Sequence, residues 1–294
     1  MSGLTVTTRD LTVRYGSTTA LEGVDLDLGA GRIHGLLGRN GAGKTTLLST
    51  LASMQRPTGG QIEVDGEQPF EHERLMQQIC LIREAGDLVA DEKVSVTLDI
   101  HESVRPGFDR TFAEAALEDF RVPLRRKPQA LSRGQRSAVA ATIGLASRAP
   151  LTMFDEVHLG MDAPSRQLFT DLLLREFAEH PRTIIISSHL IQEIEHLLET
   201  VTVLHEGRLL LSAEAEDVRA RGLTVTGRAD VVDRAVVGLH VIGTRDLGPT
   251  REATVFGPTD QTWSTHADEL GLTLGPVPLQ DLFIHLTQDR EETP

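Results

Sequence analysis

Gly38-Arg39-Asn40-Gly41-Ala42-Gly43-Lys44-Thr45 fits the spacing G-x-x-x-x-G-K-[ST], that of a loop built to cradle phosphate. Gly41 and Gly43 let backbone N–H groups turn toward an anion that a Cβ would obstruct. Lys44 supplies a point charge for the β- and γ-phosphates of a nucleotide, and the Thr45 hydroxyl is a hard oxygen ligand suited to Mg2+. The flanks agree with that chemistry. Ile33-His34-Gly35-Leu36-Leu37 reads as a buried strand, and Leu47-Leu48-Ser49-Thr50-Leu51 has helical spacing, so a helix N-terminus faces the same anion. Only three of the 29 basic residues are lysines, and one of them stands here.

Three more stretches carry groups that a phosphate-transfer site uses. Leu151-Thr152-Met153-Phe154 is a buried-strand pattern that ends in the acidic pair Asp155-Glu156. Ile184-Ile185-Ile186-Ser187-Ser188-His189 is a second apolar strand, ending in a histidine. Between the loop and these strands lies Leu131-Ser132-Arg133-Gly134-Gln135, succeeded by the alanine-rich stretch from Arg136 to Ser147.

In order and spacing, from about residue 4 to 212, this set resembles the ATP-binding cassette of ABC transporters. The glycine loop looks like its Walker A motif and Leu131–Gln135 like its LSGGQ signature, with arginine in the third place. Leu151–Glu156 resembles Walker B, Ile184–His189 the strand of the switch histidine, and Arg14-Tyr15-Gly16 the aromatic loop that stacks on adenine.

The resemblance implies roles. Lys44, Glu156 and His189 form the catalytic group, with Glu156 polarising the attacking water as general base and His189 contacting the γ-phosphate. Tyr15 with Gly38, Arg39, Asn40, Gly41, Ala42, Gly43, Lys44, Thr45 and Thr46 holds ATP, while Thr45, Asp155 and Glu84 serve Mg2+. Ser132, Arg133, Gly134 and Gln135 close over the nucleotide of a second cassette, and Asp162, at the end of a D-loop-like Gly160-Met161-Asp162, contacts that opposite subunit. One chain then cannot complete its own site, so a homodimer or heterodimer of cassettes is implied, with a transmembrane permease as further partner. The sequence departs from the family pattern at Glu84, where a Q-loop glutamine is usual, at Arg133, and at Val157-His158-Leu159, where Pro-Thr-Ser is usual.

The resemblance implies that these residues are held by an α/β P-loop NTPase of ABC type, with a mixed-sheet core, an antiparallel β subdomain and a helical signature subdomain. Thr5–Val13 and Leu21–Leu28 alternate like strands, the stretch from about 85 to 150 is mostly helical, and strands return at Leu151 and Thr183. The cassette is expected over residues 1–214. Beyond it, 215–294 read as a small α+β appendage of β-α-β-β-α-β order, ferredoxin-like, with Trp263 in its core and Glu291-Glu292 in a frayed tail. Leu88, Val89, Val94 and Val96 are either contacts for a permease helix or core of the helical subdomain.

Bulk properties narrow the class. A formal charge of -14 repels phosphate backbones, which argues against nucleic-acid partners. The lone Cys80 excludes an internal disulfide and suits a reducing compartment. No apolar run approaches the roughly 18 to 20 residues of a membrane span, and the first residues have no apolar leader. The expectation is a cytoplasmic ATPase, peripheral on the inner face of the cell membrane through its permease, that drives export of a drug-, antibiotic- or peptide-like cargo. Two other readings stay open. A non-transport ABC ATPase would carry a second cassette, a coiled-coil insertion or a basic arm, and none is present. A catalytically weak partner subunit fits the departures but not the intact Glu156 and His189.

Overall fold

The computed structural model describes residues 3–83, 88–89, 91–257, 263, 267 and 269–288. Glu84 and Glu291-Glu292, together with part of the second helix expected in the appendage, lie outside the described residues. The chain divides into two compact units: residues up to His189 with Leu197–Ser212, and Leu190–His196 with Ala213 onward.

The first unit contains two sheets. Strands β1 (Val6–Tyr15), β2 (Thr18–Leu28) and β4 (Gly59–Val64) form an antiparallel sheet in the order β2-β1-β4. Val6, Thr8, Leu11 and Val13 are buried along β1, the inward side of a half-buried strand. The second sheet has six strands in the order β5-β6-β7-β3-β8-β9. These are β3 (Ile33–Leu37), β5 (Ile79–Arg83), β6 (Leu151–Asp155), β7 (Thr183–Ser188), β8 (Thr200–His205) and β9 (Arg208–Glu214). From β5 through β8 the neighbours run parallel. Strands β3 and β6 are buried at every position, which is why they read as continuous apolar runs rather than alternating ones.

Helix α1 (Lys44–Leu51) lies between the sheets. Leu47, Leu48 and Leu51 join Val13 and Leu21 of the antiparallel sheet and Met153 and Ile185 of the parallel one in a single core. The outer helices are α2 (Glu73–Gln78), α3 (Val94–Val104), α4 (Arg110–Asp119), α5 (Arg133–Ala146) and α6 (Ala163–Glu179). On α3 the alternative left open for the apolar residues resolves at Val94, which is buried and belongs to the core. Ile100 and Val104 are the apolar side chains that α3 exposes.

Helix α5 starts where it does because Ser132 and Gln135 form a capping box. The Ser132 hydroxyl accepts the Gln135 N–H at 3.1 Å, and Gln135 Oε1 accepts the Ser132 N–H at 3.2 Å. From Ser137 to Ala146 every residue is buried, so small side chains are needed for close approach to the sheet. Gly144 shows how close: a Cβ there would lie 2.4 Å from the Phe154 ring and 2.9 Å from Ile82.

The second unit runs from α7 (Ala215–Ala220) through β10 (Gly222–Arg228), α8 (Ala229–Ala235), β11 (Val241–Leu247), β12 (Thr250–Phe256) and β13 (Thr273–Pro276) to α9 (Leu279–Gln288). The strands form one sheet in the order β11-β12-β10-β13 with all neighbours antiparallel. Val225, Val232, Ala253, Val255 and Leu272 make its core, and Trp263 packs against them with its ring N–H donating to the Ala235 carbonyl at 3.1 Å. The short segment Leu190–His196 belongs to this unit through hydrogen bonds. The Ile191 N–H reaches Gln280 Oε1 at 3.2 Å, and Glu195 Oε2 accepts the Leu279 N–H at 3.2 Å. Among the described residues no helix is long and apolar enough to cross a membrane.

Replacing Gly144 by alanine sets about 1 kcal/mol of helix propensity against an overpacked ring in a closed core, which costs about 1–3 kcal/mol. The expected result is a net loss of stability in urea titration.

Candidate functional site

The register of the parallel sheet brings the chemistry together. Leu37, the last residue of β3, sits opposite Ser188, and Asp155, the last of β6, sits opposite Ser187. The three strands therefore end at one edge, and the segments that leave them meet there.

The glycine loop leaves β3. Gly41 and Gly43 adopt φ of 83° and 102°, the left-handed region that glycine reaches without strain. A Cβ on Gly43 would lie 2.7 Å from the Ala20 carbonyl oxygen, so this position accepts nothing larger. Arg39 and Asn40 stand exposed at the tip of the loop, Ala42 is buried beneath it, and Thr46 is in the first turn of α1. Lys44 is only 5% exposed, and its ammonium donates back to the Gly38 carbonyl at 2.8 Å and the Arg39 carbonyl at 3.2 Å. The loop thus curls back on itself and holds its cation inward.

The acidic pair closes β6. Asp155 Oδ2 accepts the Thr45 hydroxyl at 2.7 Å, and Asp155 Oδ1 accepts the Ser187 hydroxyl at 2.5 Å. The Ser187 oxygen in turn accepts the Glu156 N–H at 3.1 Å, cross-linking β6 and β7 at their ends. Glu156 is a left-handed residue with φ of 56°, a conformation that costs a side-chain-bearing residue on the order of 1–3 kcal/mol. The cross-link holds it there, and the turn aims its carboxylate back at the loop. Glu156 Oε1 lies 3.0 Å from Lys44 Nζ and 3.0 Å from His189 Nδ1. Burial disfavours the carboxylate charge, but the hydrogen bond from His189 and the hydrogen bond and charge of Lys44 outweigh it. The Glu156 carboxyl is held below the ordinary carboxylate range.

A second cluster forms around α5. Ser132, Gly134 and Gln135 line an open cavity of about 860 Å3 with Phe120, Gly160 and Asp162; Lys44, Thr45 and Glu156 do not line it. Asp162 caps α6, accepting the Ser165 N–H at 3.0 Å, and hydrogen bonding from the Ser165 side chain and then from its N–H lowers the Asp162 carboxyl pKa. Arg133 is exposed in the first turn of α5. Tyr15, half exposed at 49%, stands at the β1–β2 turn. Lys44, Thr45, Asp155, Glu156 and His189 are thus one constellation, and Ser132, Arg133, Gly134, Gln135 and Asp162 belong to a second surface.

Two residues gain a role that the sequence does not reveal. Ser187 reads there only as part of a strand, and its bridge to Asp155 and Glu156 depends on register that no single sequence displays. His158 reads only as a departure from the family pattern. It is 2% exposed in the 3-10 turn Val157–Gly160, with Nε2 3.0 Å from the Ser188 hydroxyl. A different cluster, Glu176 with Glu179 and His180, has metal-type donors within 4.8 Å of one another, but Arg148 already pairs with the Glu176 carboxylate.

A glycine loop at the end of one central parallel strand, with an acidic pair at the end of a nearby strand, defines a P-loop nucleotide-binding protein. Comparison with known proteins narrows that class. A family described as ABC transporter matches residues 21–158. The bacitracin transport ATP-binding protein BcrA of Bacillus licheniformis is 31% identical over 297 residues, 96% of each chain. The ABC transporter ATP-binding protein YtrB of Bacillus subtilis is 28% identical over 279 residues, 94% of this chain and 96% of its own. Among solved structures, a dimeric ATP-binding cassette bound to ADP and Pi shares the fold, with a TM-score of 0.62 at 20% identity over 71% of this chain and 98% of that one. The chain belongs to the ABC transporter family, as an ATP-binding subunit.

Burial pushes the His158 imidazole down to about 4, with neighbouring Arg166 and His189 adding to the effect and Glu156 opposing it. Below pH 6.5 the unfolded chain takes up a proton that the buried ring refuses. The neutral histidine's contribution is therefore complete above pH 6.5 and fades as pH falls toward 4, by about 2 kcal/mol at pH 5. Urea midpoints should fall more steeply between pH 7 and 5 for the wild type than for His158→Gln, and parallel slopes would contradict this.

Proposed function

We propose that this chain binds Mg2+-ATP, hydrolyses it, and energises a membrane exporter of antibiotic-, drug- or peptide-like cargo. The observation that carries the reading is the meeting of Lys44, Asp155, Glu156 and His189 at the ends of three neighbouring strands.

Each residue's share comes from its surroundings. Lys44 and the N–H groups of the glycine loop take the charge of the phosphates, and the fixed orientation of these donors spares the reaction their reorganisation. Thr45 and Asp155 offer two hard oxygens within 2.7 Å of each other, a donor pair that fits Mg2+. Magnesium, when bound there, neutralises phosphate charge as it builds. Glu156, ionised and backed by His189, orients the attacking water and takes its proton. His189 keeps the carboxylate aimed and is the residue assigned to contact the terminal phosphate. Tyr15 supplies an exposed aromatic face for adenine. Glu84 is retained as a proposed Mg2+ ligand.

The separate surface of Ser132, Arg133, Gly134, Gln135 and Asp162 is proposed to close over ATP held by a second cassette, in a homodimer or heterodimer. Ser132 and the N–H groups of the first α5 turn form an anion clamp of the kind helix N-termini provide. The relatives named for bacitracin transport support antibiotic cargo and a permease partner, and with them a cytoplasmic position against the membrane. The cassette is proposed to occupy 1–214. The order β11-β12-β10-β13 with antiparallel neighbours supports a ferredoxin-like accessory domain over 215–294.

Two substitutions test the site. Glu156→Gln should lower the rate of phosphate release by about 10²–10⁴-fold while ATP still binds; wild-type turnover would remove Glu156 from its role. Lys44→Ala should abolish nucleotide binding in a fluorescent-ATP titration, and undiminished affinity would count against the phosphate loop.

A further inference from the structure

Along the chain, the residue after Ser188 is the histidine that touches Glu156, so whatever fixes Ser188 helps to aim His189. Ser188 is fully buried, and its hydroxyl is shared with His158 Nε2 at 3.0 Å. His158 reaches it from the turn Val157–Gly160, which begins directly after Glu156. The base and the histidine that orients it are therefore joined twice, once by their own 3.0 Å contact and once by the path from Glu156 through His158 and Ser188 to His189.

The far end of the same turn is packed on α5. A Cβ on Gly160 would lie 2.0 Å from the Ser137 hydroxyl, and a Cβ on Gly134 would lie 3.2 Å from the Gly160 carbonyl oxygen. This close packing leaves little space between the turn and the first turns of α5, so a shift of one is resisted by the other.

We propose that His158 is a positioning residue for ATP hydrolysis, fixing Ser188 so that His189 stays against Glu156 and tying this pair to the placement of the signature helix α5. This rests on the proposed roles of Glu156 and His189 and deepens them. A neutral, buried imidazole suits the task, because it can share a hydrogen bond with a hydroxyl without bringing a charge into competition with Lys44 for the carboxylate. His158 stands in the Val157-His158-Leu159 run that departs from the family pattern.

The test compares His158→Ala and His158→Gln in the full chain, with Glu156→Gln as reference, measuring ATP affinity and steady-state phosphate release. Glutamine places a polar atom near the position of Nε2, whereas alanine leaves Ser188 without this partner. His158→Ala should lower kcat roughly ten- to a hundredfold, with ATP affinity within about twofold of wild type. His158→Gln should recover most of the rate. In the Glu156→Gln background, His158→Ala should cost almost nothing further, because it acts through the missing carboxylate. A chain whose turnover depends on Glu156 but not on His158 overturns this inference alone. So does a His158→Ala loss that falls on affinity as much as on kcat and is not recovered by glutamine. Turnover that survives Glu156→Gln sinks the catalytic assignment and this inference together.

Discussion

The structure turns on one charge arrangement: a buried lysine ammonium whose counter-ion is the carboxylate of Glu156. Lys44 is 5% exposed, a burial that a lone cation tolerates poorly. Two loop carbonyls and Glu156 offset that cost, and Glu156 is in turn kept ionised by His189 and Lys44. A triphosphate entering the glycine loop, as proposed above, would compete for the same ammonium. Under the proposed roles, binding and catalysis would be coupled through one group, since the pull of phosphate on Lys44 would free Glu156 to act on water.

That arrangement needs three strand ends at one place, and the parallel sheet supplies them. Core burial along β3, β6 and β7 fixes their register, because every position of these strands is buried and little slippage is tolerated. The Asp155–Ser187–Glu156 bridge then sets the last residues in place and holds Glu156 in its left-handed turn. The signature surface lies on α5, whose capping box fixes where the helix starts and so where Ser132 and Gln135 stand.

Much of this is legible in the sequence because it depends on local chemistry. The glycine loop, the apolar strands ending in Asp155-Glu156 and in His189, and the all-β start of the chain are written in residue type and spacing. In the second unit β10, α8, β11, β12 and β13 also follow the order that its patterning sets, although α7 carries no pattern strong enough to read. The illegible parts depend on contacts between distant segments. Strands β8 and β9 come after the last motif and carry no chemistry that marks them. Ser187 gains its role only once β7 lies beside β6, and His158 only once its turn meets Ser188. Leu190–His196 looks like a continuation of the cassette, yet Ile191 and Glu195 tie it to α9. The apolar residues near α3 are ambiguous in sequence for the same reason, since burial at Val94 and exposure at Val104 depend on the partners of the helix rather than on its composition.

The competition for Lys44 is measurable by itself. In calorimetric titrations of ATP into the wild type and into Glu156→Gln, loss of the carboxylate removes both a rival for the ammonium and a negative charge near the phosphates. Affinity should then rise about five- to tenfold, equivalent to about 1 kcal/mol. Affinity that is unchanged or weaker in the variant would mean that Glu156 does not compete with the nucleotide, and the coupling of Lys44 to Glu156 would not govern this site.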